Sequence, residues 1–335
     1  MRQLSAGRGN AFLNHLASAW RHGFSWTPVF LMVAMVVCPA AHAFVTAADF
    51  NGLESRIESG NIDRPLAVAV DGNGNVYIAQ SNGVLKETLS PDGSGYSETV
   101  IARIQGVERV GLAVDGAGNV YLGINGGVYK ETLTDGSYRQ STVASNVEQP
   151  DWIAVDGRGN VYIADNADNQ VLKETPTGDH YTQTVVFSPS TSGGNSLNGL
   201  AVDAMGKVYF LSDGNVWKST PAASGYQTYR VLAGTYGRGL AVDGAGNLYV
   251  TVGSTQVLQE TLSGGRYTQS TVATAHLPVA AGLAVDYSGN LYVGDLLGNR
   301  VLKEYATSSP LPQSSGGTGP AVSMLSAPKG SRMSR

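Results

Sequence analysis

Six aspartates recur along the chain, Asp71, Asp115, Asp156, Asp203, Asp243 and Asp286. Five of them open the pattern Asp-x-x-Gly-Asn, and the fourth reads Asp203-Ala204-Met205-Gly206-Lys207. Carboxylates at regular intervals are possible cation ligands, but an EF-hand-like calcium loop needs several further oxygen donors at fixed positions. A local role fits these residues better. Aspartate accepts a hydrogen bond from the backbone two residues on, and glycine takes positive φ without steric cost, so the pattern specifies a tight hairpin.

A second set of polar residues does not repeat. Asp63, Arg64, Glu108, Arg109, Asp151, Trp152, Asp165, Asp168, Asn169, Asn198, Asp213, Arg238, Asp295, Asn299 and Arg300 are expected in loops on one face. Of these, Arg64, Arg109, Trp152, Asp165, Asp168, Asn169, Asn198, Asp213, Arg238, Asp295 and Arg300 are the candidate ligand-binding residues. Arginine offers bidentate recognition of carboxylates, which suits an acidic ligand; the competing use is pairing with Asp151 or Asp63. Asp295 and Arg300 span a single loop and read as a turn clamp. Trp152 stands where most equivalent positions hold glycine, as at Gly111, Gly199 and Gly239, and is either an exposed anchor or a plug for a channel mouth.

Catalysis finds less support. After residue 43 the chain has two histidines, His180 and His276, and no cysteine, which removes thiol nucleophiles, disulfides and Cys-ligated zinc. No Ser-His-Asp order, HExxH, phosphate loop or dinucleotide fingerprint can be assembled. The alternative that survives is a metal-dependent hydrolase or lyase holding a divalent ion with Asp165, Asn198, Asp213 and Asp295, whose oxygens would have to converge within about 2.6 Å of it.

The elements that position these residues come from a repeat. The segments LAVAVDGNGNVYIA, VGLAVDGAGNVYLG, DWIAVDGRGNVYIA, NGLAVDAMGKVYFL, RGLAVDGAGNLYVT and AGLAVDYSGNLYVG begin at Leu66, Val110, Asp151, Asn198, Arg238 and Ala281. Their aspartates are separated by 44, 41, 47, 40 and 43 residues, the length of one four-stranded propeller blade. The first two strands of each unit are apolar on consecutive positions, as for sheets covered on both faces. The third carries charge and the fourth alternates, so polarity should rise toward the rim. The third-strand glutamates Glu87, Glu131, Glu174, Glu260 and Glu304 are accordingly expected in a solvated rim. Glu54-Ser55-Arg56-Ile57 precedes the first unit at the place of a fourth strand, and the sixth unit lacks one, so this segment is expected to close the ring. The fold class expected is all-β, a six-bladed β-propeller over residues 44–305.

Residues 1–43 read as a signal peptide: Arg2, Arg8 and Arg21 without acids, the apolar run Val29 to Val37, then Ala41-His42-Ala43. A nine-residue run is too short for an ordinary transmembrane helix, so no permanent membrane anchor is expected. Without the three leader arginines, 19 basic side chains face 26 acidic ones. An acidic body argues against phosphate-backbone binding, and no nucleic acid is expected. Residues 306–335, rich in Ser, Gly and Pro, read as a disordered tail.

The third repeat, Pro150-Asp151-Trp152-Ile153-Ala154-Val155-Asp156-Gly157-Arg158-Gly159-Asn160-Val161-Tyr162-Ile163-Ala164-Asp165 with Asn169-Gln170-Val171, resembles the NHL repeat family. The sixth repeat keeps the same register at Asp286, Gly289-Asn290-Leu291-Tyr292-Val293, Asp295 and Asn299-Arg300-Val301. The resemblance covers roughly Ile57 to Tyr305 and is strongest to the NHL sensor domains of bacterial receptor-type kinases, although no kinase motif is present. It implies a propeller that binds protein, peptide or other ligands on one face. Six-bladed relatives include metal-dependent lactonases and peptide-amidating lyases; the lyases use metal-binding histidines, and here His180 and His276 lie away from the expected mouth. The reading of the whole sequence is an exported, monomeric, noncatalytic propeller without cofactor that recognises a protein, peptide or glycan; the alternative is the lactonase-like metal-dependent hydrolase or lyase.

Overall fold

The computed structural model describes residues 50–306, apart from 58–60, 105, 107–108, 125, 190–196, 235, 254, 273–276 and 278. Residues 1–49, including the segment read as a signal peptide, Glu108, His276 and the residues beyond 306 lie outside the described residues. The described chain forms six four-stranded antiparallel sheets. In five of them the strands follow chain order, as in blade three, where Pro150–Val155, Val161–Asp165, Gln170–Thr177 and His180–Phe187 pair in turn. In the sixth, Ala280–Val285, Leu291–Asp295 and Arg300–Ala306 are joined on their outer side by the N-terminal strand Phe50–Ile57. That strand pairs Glu54 with Glu304 and Ile57 with Val301. The first strands pack side by side around a circle, the sixth beside the first, and the chain is a six-bladed β-propeller.

The core is not one mass but six layers, each shared by two neighbouring blades. Tyr77, Ala79 and Val84 of blade one pack on Leu112, Val120 and Leu122 of blade two. Ile57, Val301 and Tyr292 pack on Val68, Val76 and Ile78 across the junction of blades six and one. Both faces of every inner strand are thus covered, which explains the unbroken apolar runs such as Val76-Tyr77-Ile78-Ala79.

The aspartate hairpins form as their pattern requires. Asp71 Oδ1 accepts the Asn73 and Asn75 backbone N–H groups at 2.9 and 3.0 Å, and Gly74 sits at φ 80°. Asp71 Oδ2 accepts the Asn75 amide and the Tyr77 hydroxyl at 2.8 and 3.0 Å. Asn75 Oδ1 in turn accepts the Leu89 N–H, tying the hairpin to the third strand. The same asparagine and tyrosine bonds recur at Asp115, Asp156, Asp243 and Asp286. In blade four Lys207 replaces the asparagine, and its ammonium stands 3.9 Å from Asp203.

One expectation is corrected. The third-strand glutamates are not a solvated rim: Glu87, Glu131, Glu174, Glu260 and Glu304 are all buried. Successive side chains of a strand point to opposite faces, and here each face meets another blade, so the Lys-Glu pair is split. The lysine lies over the second-strand tyrosine of its own blade, Lys86 over Tyr77 and Lys130 over Tyr121. The glutamate turns to the other side, where Gln140 donates to Glu131 and Gln183 to Glu174, both at 2.8 Å. Burial raises the carboxyl pKa of Glu174 and Glu260 above the ordinary glutamate value.

Candidate functional site

Three cavities are stacked along the axis, each lined by successive positions of the first strands. The largest, about 390 Å³, opens at the hairpin end and is lined by all six repeat aspartates with Val70, Gly72 and Tyr287. A channel of about 170 Å³ follows, walled by Val68, Leu112, Ile153, Leu200 and their equivalents. At the opposite, loop end a mouth of about 70 Å³ is lined by Leu66, Arg109, Val110, Asp151, Trp152, Asn198, Arg238, Ala281 and Leu296.

The loop-end mouth gathers four of the eleven candidate residues, Arg109, Trp152, Asn198 and Arg238. Its inner ring has one residue from every blade, each five positions before the repeat aspartate: Leu66, Val110, Asp151, Asn198, Arg238 and Ala281. In four blades the ring residue lies where the first strand slips register against the second. Pro150 pairs with Asp165 and Trp152 with Ala164, so Asp151 is left over; Asn198 lies between Leu197 and Gly199 in the same way. Arg238 falls between Tyr236 and Leu240, and Ala281 between Ala280 and Leu283. Bulges of this kind re-aim a side chain, and here they place it at the channel mouth.

Asp151 is held from two sides. Its Oδ2 accepts Arg109 Nη1 at 2.6 Å and the Asn166 amide at 2.7 Å. The Asp151 side chain is 9% exposed and that of Arg109 57%, so the pair is a partly wet ion pair whose own contribution is small. Asn166 does more. Its amide also donates to the Leu197 carbonyl and its oxygen accepts the Leu197 N–H at 2.7 Å, which fixes the backbone next to Asn198 across the junction of blades three and four. Sequence reasoning missed Asn166. The signal available was that only blade three follows its second-strand aspartate with an amide residue.

Trp152 is half-buried and borders both the mouth and the channel. Its ring packs with Ala154, Leu197 and Leu200 between blades three and four, so it forms the floor of the mouth. The glycines at equivalent positions let the next blade approach closely. A Cβ on Gly111 would meet the Pro150 carbonyl oxygen at 2.7 Å.

The remaining candidates lie outside the mouth. Asp165 and Asp295 are fully buried at the ends of second strands. Asp295 Oδ2 accepts Arg300 Nε at 2.8 Å and its Oδ1 the Gly298 N–H. Asp165 Oδ1 accepts the Ala167 and Gln149 N–H groups at 3.2 and 3.3 Å. Asp168 accepts from Gln170 at 3.3 Å. Arg64, Asn169, Asp213 and Asn299 adopt left-handed backbone, φ 48–51°, as turn residues do. The Arg64 N–H donates to Asn299 Oδ1, linking blade six to blade one. Among the described residues no group of three or more His, Cys, Asp or Glu side chains is placed to hold a metal ion.

No protein-family model matches the chain, and no curated protein matches it. Solved structures do. A gluconolactonase from Xanthomonas campestris aligns at TM-score 0.56 and 14% identity over 73% of this chain and 87% of its own. An auxiliary nutrient binding protein from Bacteroides thetaiotaomicron gives 0.56 and 11% over 76% and 72%. A catalytically inactive virginiamycin B lyase from Staphylococcus aureus, bound to quinupristin, gives 0.52 and 15% over 76% and 88%. Enzymes and a binding protein thus align equally well, and at these identities the shared property is the architecture: this chain is a six-bladed β-propeller.

Proposed function

We propose that the chain is an exported, noncatalytic NHL-type propeller that binds a protein, peptide or glycan at the loop-end mouth. The observation that carries this reading is the ring of six nonrepeating side chains, one per blade and four of them set on strand bulges, above the Trp152 floor. Across the blades this ring position changes from aliphatic to acidic, amide and basic, while the alanine and valine that follow it three and four residues on stay fixed. Binding there would rest on shape complementarity of a rigid ring and a few anchors. Export rests on the sequence of residues 1–43, and a monomer without cofactor completes the reading.

The lactonase-like alternative asks Asp165, Asn198, Asp213 and Asp295 to surround one ion. Asp295 spends both carboxylate oxygens on its own loop and Asp165 spends its Oδ1 there, leaving only the buried Asp165 Oδ2 without a hydrogen bond, which favours the binding reading. The test is direct. The full chain is assayed for hydrolysis of gluconolactone and of p-nitrophenyl acetate with calcium or zinc added after chelation, and its melting temperature is followed in parallel. No turnover and an unmoved melt are expected; metal-dependent turnover abolished by Asp165→Asn overturns the proposal.

We also propose that the pairing of Phe50–Ile57 with the third strand of blade six closes the ring. Phe50 supports this, since its ring stands edge-on to Tyr249 of blade five at 6.0 Å. Deleting residues 50–57 should lower the melting temperature sharply, and an unchanged melt would remove this closure.

A further inference from the structure

We infer that the loop-end mouth takes the C-terminal carboxylate of a peptide whose last side chain is apolar. The inference rests on the binding reading above and narrows it to one ligand class. Its first support is the division of the ring. Asp151, Asn198 and Arg238 come from three consecutive blades, three to five, while Ala281, Leu66 and Val110 come from six, one and two. The mouth is therefore polar on one half and aliphatic on the other, with Trp152 beneath. A peptide end that bears a carboxylate and an apolar side chain on the same carbon presents the same two halves.

Charge supplies the second support. Arg109 and Asn166 both bond the Asp151 carboxylate, so that pair is neutralised within the protein. Arg238 is exposed and has no ion pair among the described residues. The mouth thus carries one uncompensated positive charge in a chain that is acidic overall. A guanidinium fork matches the two oxygens of a carboxylate, and the Asn198 amide stands at the adjoining ring position as a further donor.

Size is the third. At about 70 Å³ the mouth is far below the ~300–1,000 Å³ of pockets that enclose a whole small ligand, so it suits an end group with the rest of the chain outside. A neutral sugar ring would be served poorly here, because half of the ring residues offer it no hydrogen bond.

The experiment measures fluorescence anisotropy of fluorescein-labelled pentapeptides, Gly-Gly-Gly-Val-X with X varied through Ala, Val, Leu and Phe, against the full chain. Each peptide is used as free acid and as C-terminal amide. At least one free acid is expected to bind, with its amide about ten-fold weaker or more and affinity falling with salt. Arg238→Gln should cost the free acid a similar factor, with Arg238→Lys intermediate and both variants melting like the parent. Acid and amide binding equally, yet both weakened by Asn198→Ala, would overturn the carboxylate inference and leave the mouth as the binding site. Acid binding indifferent to Arg238→Gln and Asn198→Ala alike would overturn the inference and the mouth reading together. Displacement of the peptide by octanoate or glucuronate at lower concentration than by the unlabelled free acid would reassign the carboxylate to a lipid or a sugar, and no binding by any free acid would overturn the peptide assignment outright.

Discussion

At the hairpin end of the channel every blade carries the same aspartate, and in five of the six its carboxylate is used up within its own hairpin: Asp156 takes two backbone N–H groups on one oxygen and Asn160 and Tyr162 on the other. At the loop end the equivalent ring reads Leu66, Val110, Asp151, Asn198, Arg238, Ala281, six blades and six different residues. The hairpin cavity is the larger by several-fold, yet its polar groups are spent on holding strands together; the loop mouth is small, and Arg238 there has no ion pair among the described residues. Size alone would choose the hairpin end. What separates the two is whether the lining side chains have work to do inside the protein.

The comparison is broken most severely at Asp156. Replacing it with alanine leaves the Asn160 amide, the Tyr162 hydroxyl and two backbone N–H groups without their acceptor in a buried hairpin, at about 4 kcal/mol. The expected result is a large drop in the urea midpoint. Asp203→Ala should cost least of the six, since blade four has Lys207 in place of the asparagine. A uniform cost in all six blades would show that the asparagine bonds contribute nothing.

Arg300 tests whether the wall of the loop end behaves like the hairpins. It follows Leu296 of the mouth by four residues but bonds a carboxylate with no exposed surface, so Arg300→Ala leaves Asp295 charged and buried, at about 3 kcal/mol. Denaturation should show the loss, while peptide binding at the mouth should persist in the folded fraction.

A smaller effect of opposite sign is expected at Glu260. Burial raises its carboxyl pKa, so the folded chain holds this proton more tightly than the unfolded chain does. Its favourable contribution is complete below the unfolded-chain value, about 4.3, and is lost as pH rises through the raised folded value. Glu260→Gln should therefore raise the melting temperature by about 1–2 °C at pH 7 and leave it unchanged at pH 3.5. A lower melt at pH 7 would show that the charged form is stabilised by its neighbours.

The ring of blades was legible because the turn chemistry is local: Asp, Gly and Asn within five residues dictate the hairpin wherever they occur. The tyrosine that completes five of the networks, Tyr77 with Tyr121, Tyr162, Tyr249 and Tyr292, stood at a constant six residues from the aspartate, but its bond crosses from hairpin to strand and no local rule announces it. The buried glutamates were misread because Lys-Glu in a strand looks like a solvated pair until the neighbouring blades cover both faces. At the mouth, sequence order brought Arg109, Trp152, Asn198 and Arg238 to the expected face, whereas the bulges that set Asp151 and Asn198 out of pairing arise from register between strands, which composition does not record.

The least disruptive change is the most informative about the comparison. Asn198 lies in a strand bulge, and its backbone is anchored one residue earlier by Asn166 through Leu197, so the side chain itself does little for the fold. Asn198→Ala should shift stability by no more than about 0.5 kcal/mol, the usual range for a surface change that touches no core or network. Set beside Asp156→Ala, it makes the two ends separable in one pair of measurements: one substitution that unfolds without altering what the folded fraction binds, and one that alters binding without unfolding. If Asn198→Ala instead destabilises as strongly as the hairpin variants, its variation among blades reflects packing demands peculiar to each junction, and the mouth loses its claim to be the free end of the molecule.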